Sequence, residues 1–252
     1  METENIRIQK FFTDCGILSR RAAEEEIKKG RVKVNGIVAE VGQKIDPAHD
    51  RVEYRGQVIS ASSKPRFTYV MLNKPRGYLS TVTDDRGRHC VTELVEDTGV
   101  RLYPVGRLDM DSEGLLLLTN DGELTNRLTH PKHEIPKIYH VKIRGIVTAE
   151  QVKALSRPMI IDGYQILPVK TELISVKDDA STLRMTLFEG RNRQIRKMCE
   201  TQSLEIQKLC RVAIGDIKLG NLAPGKWRYL TRTQVEYLKG KATAKGKDHK
   251  SC

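Results

Sequence analysis

PVGRLDMDSEGLLLLTNDGEL, residues 104–124, carries several structural signals in one short stretch. A strand ends at Val105, and Gly106 lets the backbone turn. Leu115 to Leu118 is an unbroken apolar run, too short for a helix standing alone and suited to a buried strand. Asn120-Asp121-Gly122 then turns the chain into a helix near Glu123–Leu128. Between the two strands stand Arg107 and Asp109, two residues apart, with Asp111 two further on. A carboxylate beside a core strand needs a partner, because burying an unpaired charge is costly. Asp109 is therefore either a member of a structural ion pair or a functional group. Asp111 reads as a turn residue that caps through Ser112 or Glu113.

Outward from this stretch the chain mixes strands and helices without a regular β-α-β alternation. Tyr69–Leu72 is a short apolar strand, and Lys74-Pro75-Arg76-Gly77 is a turn that shapes whatever lies beside it. Tyr139–Ile143 and Leu183–Phe188 alternate as strands, and Arg193–Glu200 has the pattern of a helix. Such an order implies an α+β domain with a mixed, largely antiparallel sheet flanked by helices. Upstream, Ile8, Phe11, Phe12 and Cys15 follow helical spacing, and Ser19 is placed to cap a second helix. Val32 and Val34 form a strand that turns at Asn35-Gly36 into Ile37-Val38, and a further strand is expected over Arg51–Ile59. Ala61–Pro65 reads as a linker, and the last residues, GKATAKGKDHKSC, hold little that a core would bury. The expected organisation is a small α/β domain over 1–62, a larger domain over 63–238 and a basic, disordered tail over 239–252.

The 252 residues carry 44 Lys and Arg against 32 Asp and Glu, a formal net charge of +12. That balance favours a polyanionic partner, with nucleic acid ahead of a membrane surface. No apolar run approaches the roughly 18 residues of a membrane span, and the N-terminus lacks the apolar centre of a signal peptide. The five cysteines (Cys15, Cys90, Cys199, Cys210, Cys252) form no C-x-x-C pair, which points away from a zinc site or disulfide framework and toward a reducing cytoplasm. His130, His133 and His140 have no Cys or carboxylate set beside them and are read as surface or structural, so no metal is expected. Arg20, Arg21, Lys28, Lys29, Arg31 and Lys33 cluster on the second helix and the strand after it; they form either a solvated face or a phosphate-binding edge. Arg191, Arg193, Arg196 and Lys197 pose the same choice on the later helix, where Gly190 favours phosphate. Tyr139 is either plain core or a stacking surface, and Trp227 is core or rim.

Two stretches carry a family resemblance. RIQKFFTDCGILSRRAAEEEIKKGRVKVNG resembles the alpha-L RNA-binding domain shared with a small-subunit ribosomal protein, through its S-R-R-x-A helix start and G-R-V-x-V-N-G hairpin. G-R-L-D-x-D-S-E-G-L-L-L-L-T-N-D-G resembles the signature of the pseudouridine synthases that modify single sites in ribosomal RNA. YVMLNKPRG (69–77), KIYHV (137–141) and LFEGRNRQIRKM (187–198) agree in order, so the resemblance spans about residues 67–230. It implies that Asp109 is the catalytic aspartate and that Arg107 touches backbone phosphate or helps hold a flipped nucleotide. It further implies that Tyr139 stacks on the target base and that Arg196 pairs with Asp109. The clustered Arg20, Arg21, Lys28, Lys29, Arg31 and Lys33, with Arg191 and Arg193, become RNA contacts. The isomerisation moves no outside atom or electron, so the resemblance implies no cofactor and no metal. The expected partner is ribosomal RNA or a ribosomal assembly intermediate, bound by a monomer, and the K-P-R-G to T-D-D-R-G-R region leans toward the large subunit. Two alternatives remain: a non-catalytic RNA-binding or assembly protein, and a metal-dependent nuclease using Asp109 and Asp111.

Overall fold

Residues 5–59, 67–130 and 134–243 are described by the computed structural model. The expected linker at 61–65, His133 and the chain beyond 243 fall outside them. Two compact units appear, Met1–Phe67 and Thr68–Cys252.

The first unit runs β1 (Ile6–Arg7), α1 (Ile8–Asp14), α2 (Arg20–Lys28), β2 (Val32–Val34), β3 (Ile37–Val38), β4 (Lys44–Ile45), β5 (Val52–Tyr54) and β6 (Gln57–Ile59). The apolar stripe of α1 (Ile8, Phe11, Phe12) meets Ala23 and Ile27 of α2 and the inner face of the sheet at Val32, Val34 and Val52. Ser19 caps α2 by accepting from the Ala22 amide at 3.1 Å. The single strand expected over Arg51–Ile59 is instead a hairpin. Arg55 (φ 51°) and Gly56 (φ 79°) take the left-handed backbone that a tight two-residue turn requires. The sheet order is β3-β2-β5-β6, all antiparallel.

Glu26 organises the charge of this unit. Its carboxylate is nearly buried on α2 and receives Arg31 at 3.2 Å, Arg55 and the Tyr54 hydroxyl at 3.0 Å, and Lys29 at 3.3 Å. Lys28 pairs with Glu24 at 2.9 Å. Lys28, Lys29 and Arg31 are thus held in local ion pairs. Arg20, Arg21 and Lys33 are exposed and form no ion pair among the described residues. Burial alone would raise the Glu26 carboxyl, but the hydrogen bonds from Arg55, Tyr54, Arg31 and Lys29 bring it down from 4.5 to about 2. A carboxyl lowered in the fold adds stability that is present above its unfolded value and lost as the pH falls toward its folded value. Acid titration of this unit is expected to show a loss of stability between about pH 4.5 and about 2. Glu26→Gln should lower stability at neutral pH and flatten that acid limb. A thermal-melt series against pH reads both, and an unchanged limb in the variant would count against the assignment.

The second unit begins with β7 (Tyr69–Lys74), a short 3-10 helix over Glu93–Thr98, β8 (Tyr103–Val105), β9 (Glu113–Thr119), α3 (Gly122–Thr129) and β10 (Lys137–Arg144). It continues with α4 (Ala149–Leu155), β11 (Ile160–Ile161), β12 (Tyr164–Gln165), β13 (Lys170–Lys177), β14 (Ala180–Leu187) and α5 (Gln194–Glu200). It closes with β15 (Ile206–Ile214), β16 (Ile217–Lys218), β17 (Trp227–Tyr229) and α6 (Arg232–Thr243). The main sheet has the order β13-β14-β10-β15-β9-β7-β17, with β16 paired to β15 and β8 to β9. Among the strands described, only β9 and β15 pair in parallel, so the sheet is mixed and largely antiparallel as expected.

The LLLL run lies at the centre because β9 is covered on both faces. Leu115 and Leu117 pack with Leu124 and Leu128 of α3 and Leu238 of α6, while Leu116 and Leu118 pack with Val91, Val95 and Leu102. Leu238 keeps α6 docked, and the helix runs on to Thr243, so residues 239–243 are helical where a disordered tail was expected. The β9–β15 junction depends on Gly114. Its φ is +105°, and a Cβ there would lie 2.3 Å from the Arg211 carbonyl oxygen. No other residue lets β9 approach β15 at the point where the 106–112 loop enters the sheet.

Candidate active site

The loop between β8 and β9 is held from below and from the side. Gly106 turns at φ 74°, and Leu108 plugs into the core, leaving Arg107 exposed and Asp109 half-buried on either side of it. Ser80 clasps Leu108 twice: its hydroxyl donates to the Leu108 carbonyl at 2.8 Å and accepts from the Leu108 amide at 3.1 Å. The Ser112 amide closes a turn onto the Asp109 carbonyl at 3.1 Å. Beneath this turn lies Lys74, fully buried at the end of β7. Its ammonium donates to the carbonyls of Ser112 at 2.8 Å, and of Asp109 and Pro75 at 3.0 Å. Burial pushes this ammonium down to about 8, partly opposed by Asp109, Asp111 and Glu113. The K-P-R-G segment is therefore a turn as read, but its lysine is the internal pin of the Asp109 loop.

The arginines meet the two acids in a different pairing from the one the resemblance implied. Arg196 reaches Asp111, not Asp109: its Nη2 lies 3.1 Å from the Asp111 carboxylate and donates to the Asp111 carbonyl at 3.1 Å and the Ser112 hydroxyl at 3.3 Å. Arg193 spans both acids, 3.3 Å from Asp111 and 4.0 Å from Asp109. The physical reason is the start of α5. Arg193 is its N-cap in a left-handed conformation (φ 51°), whereas Arg196 lies one turn inside the helix, level with the Asp111–Ser112 backbone. Asp111 accordingly holds two guanidinium groups rather than capping its own turn. Residues 109–112 form a turn, and even on a strand two positions two apart would share one face, so backbone geometry does not separate Asp109 from Asp111. The two cations already seated on these carboxylates weigh against a metal there instead.

A cavity of about 400 Å³ opens beside Asp109. Val105, Leu117, Leu128, Ile135, Leu209 and Ile214 give it an apolar floor, and Arg107, Arg191 and Arg193 line it too. Tyr139 lines it from β10, where it stands opposite Met185 of β14 and Arg211 of β15. The Tyr139 hydroxyl accepts from Arg211 Nη1 at 3.5 Å. Arg191 lies over the Tyr164 ring, 3.0 Å from its centre, and also pairs with Glu189 at 3.5 Å. Asp109, Arg107, Tyr139, Arg191 and Arg193 are thus brought together, and Arg196 stands just behind them.

Sequence reasoning missed four residues of the site: Ser80, Lys74, Lys137 and Arg211. Lys137 precedes Tyr139 by two, the spacing that puts both on one face of a strand, and it lines the same cavity. Arg211 is a lone charge among apolar neighbours in LCRVAI, and that pattern was the signal available. Among the described residues no helix is long and apolar enough to cross a membrane.

Comparison with known proteins identifies the family. The RNA pseudouridylate synthase family matches residues 68–201, and the S4 domain matches residues 6–52. The chain is 42% identical to the ribosomal large subunit pseudouridine synthase B of Bacillus subtilis, over 94% of this chain and 96% of that protein. It is 37% identical to the dual-specificity RNA pseudouridine synthase RluF of Escherichia coli K12, over 92% of this chain and 77% of that one. A crystal structure of a pseudouridylate synthase superposes with a TM-score of 0.64 at 29% identity, covering 92% of this chain and 99% of that one. With an S4 domain leading into a sheet whose central loop presents an aspartate beside a tyrosine, this chain belongs to the RNA pseudouridylate synthase family, enzymes that isomerise uridine in RNA.

Proposed function

We propose that the protein converts a uridine of large-subunit (23S) ribosomal RNA to pseudouridine, with Asp109 as the catalytic carboxylate. The observation that carries this is the placement of Asp109 and Tyr139 on one cavity of about 400 Å³, within the roughly 300–1,000 Å³ typical of small-ligand sites. Support for the large subunit comes from the B. subtilis relative and its near full-length match.

The reaction breaks the bond from ribose C1′ to uracil N1, turns the base and rejoins it through C5, which gives up a proton while N1 takes one. Asp109 serves either as a nucleophile or by stabilising charge on the sugar and moving that proton. The target base must leave its stack, at a cost of a few kcal/mol, and be held against an aromatic face, which Tyr139 presents. Arg107 and Arg191 are placed for the phosphates beside the flipped nucleotide. Arg193 bridges the two acids. Arg196 acts through the Asp111–Ser112 backbone to hold the shape of the loop, a positioning role in place of the direct pairing first expected. Arg20, Arg21 and Lys33 are the side chains of the first unit left open to RNA, with Lys28, Lys29 and Arg31 contributing only as their local ion pairs exchange.

We further propose that the enzyme works as a monomer in a reducing cytoplasm. Among the described residues Cys15, Cys90, Cys199 and Cys210 stand free, as a reducing compartment would keep them.

The test is direct. Unmodified 23S and 16S transcripts are incubated with the protein in the presence of a chelator, and pseudouridine is mapped by carbodiimide labelling and primer extension. A single new stop on the 23S transcript is expected. A stop confined to 16S RNA would overturn the subunit, and strand cleavage or no stop at all would overturn the reaction.

A further inference from the structure

Arg211 is 4% exposed and pairs with no carboxylate among the described residues. Its Nε donates to the Leu115 carbonyl at 2.7 Å and its Nη1 reaches the Tyr139 hydroxyl, but Nη2 is fully buried and finds no hydrogen-bond partner among the described residues. The side chain lines the cavity that holds Asp109. Lys137 lines the same cavity two residues from Tyr139, and its ammonium has neither a hydrogen bond nor an ion pair among the described residues. Buried donors and cations left unmatched are costly, so such groups stand in a site for something that will match them. Both are donors only.

Resting on the reading of the reaction above, we infer that Lys137 and Arg211 contact the base itself, donating to the two carbonyl oxygens of the flipped uracil and selecting uracil over cytosine. Uracil offers acceptors at both O2 and O4. Cytosine carries an amino donor at position 4, which a lysine or arginine cannot accept, so one buried cation would face a like donor. The chemistry of the reaction fits the same pair. When N1–C1′ breaks, the bonding electrons stay with the base and spread onto O2 and O4. They return in the new C5–C1′ bond as C5 loses its proton and N1 gains one. Turning the base about its N3–C6 axis exchanges N1 with C5 and also O2 with O4. Two fixed donors therefore meet a carbonyl before and after the turn, and they stabilise the charge developed between.

A chemical signature follows for Lys137. Burial, helped by the nearby Arg211 charge, pushes its ammonium down to about 8. The charged groups sharing its cavity are Arg211 of β15, Arg107 and Asp109 of the loop after β8, and Arg191 and Arg193 before α5. The other walls there, Leu187 of β14 and Leu128 and Thr129 of α3, are uncharged. Single-turnover rates on the unmodified 23S transcript are measured against pH for the wild type, Lys137→Met and Lys137→Arg. The wild-type rate should fall as the pH rises through about 8, where Lys137 loses its charge. Lys137→Met should react at least about a hundredfold more slowly, the low end of what removing one such donor costs, and lose the alkaline fall. Its affinity for the transcript in filter binding should stay within about twofold, since phosphate contacts dominate affinity. Lys137→Arg should keep much of the rate and push the fall to higher pH. That variant decides the matter if the methionine variant does not fold. Wild-type turnover with an alkaline limb that neither variant moves would overturn this inference and leave the proposed reaction standing. A wild-type protein that makes no pseudouridine on either transcript would overturn the reaction, and this inference with it.

Discussion

Asp109→Asn is expected to leave the protein folded and RNA-bound and to abolish pseudouridine formation. The substitution conserves shape. The Asp109 carbonyl still receives Lys74 and the Ser112 amide, since both bonds are made by the backbone. Arg193 loses its longer contact, at 4.0 Å, and keeps Asp111 at 3.3 Å. Nothing in the loop is therefore left without a partner, and the melting temperature should move by no more than a degree or two, in line with about 0.5 kcal/mol. The chemistry has no substitute for the carboxylate. An amide neither adds to carbon nor carries the charge that stabilises a developing cation. Removal of a group that touches the reacting atoms typically costs about 10⁴-fold or more. Tritium release from RNA labelled at uridine C5 measures the rate, and filter binding measures affinity. Turnover within about a hundredfold of the wild type would show that Asp109 belongs to the ion-pair network alone.

Lys74→Met should be the most damaging change outside the cavity. Methionine fills a similar volume but donates nothing. The carbonyls of Pro75 and Ser112 would lose their donor beside a fully buried side chain, and that of Asp109 would keep only the Ser112 amide. An unsatisfied buried polar group costs about 1–3 kcal/mol, and relief from burying an ammonium offsets part of the sum. A net loss of about 2–4 kcal/mol follows, seen as a fall in melting temperature of roughly 5–15 °C for a domain of this size. The rate should fall as well, because the Asp109 and Ser112 carbonyls belong to the turn that carries Asp109. The split between constants is informative: kcat should drop while the KM for RNA changes little, since Lys74 has no exposed surface with which to touch RNA. A variant that melts like the wild type and retains its kcat would remove Lys74 from the support of the site.

What was legible in the sequence was local or carried by pattern. Helix and strand periods foretold α1, α2, β7, β9, β10, β14 and α5 because burial repeats at fixed intervals along each element. Ser19 was readable as a cap because a cap acts within three residues. The split of Arg51–Ile59 was missed although Arg55-Gly56 carries the turn signal, since apolar alternation on both sides masked it. Helix α6 runs past the expected end of the fold because buried Leu238, Tyr237 beside it and Lys239 over the Tyr69 ring dock it against the core despite its polar composition.

The site divides the same way. By itself the sequence singled out Asp109, Arg107 and Tyr139, since a carboxylate and an arginine beside an apolar strand stand out against their surroundings, and ordered motifs pointed to their chemistry. Only the tertiary structure decided which arginine meets which acid, that Lys74 sits under the loop, and that Lys137 and Arg211 share the cavity of Asp109. Lys74 lies on β7, Lys137 on β10 and Arg211 on β15, and what joins them is strand order and the parallel β9–β15 contact at Gly114. Periodicity records which face of an element is buried, but not which other element will cover it; that pairing is set by register across the sheet, between residues far apart in the chain.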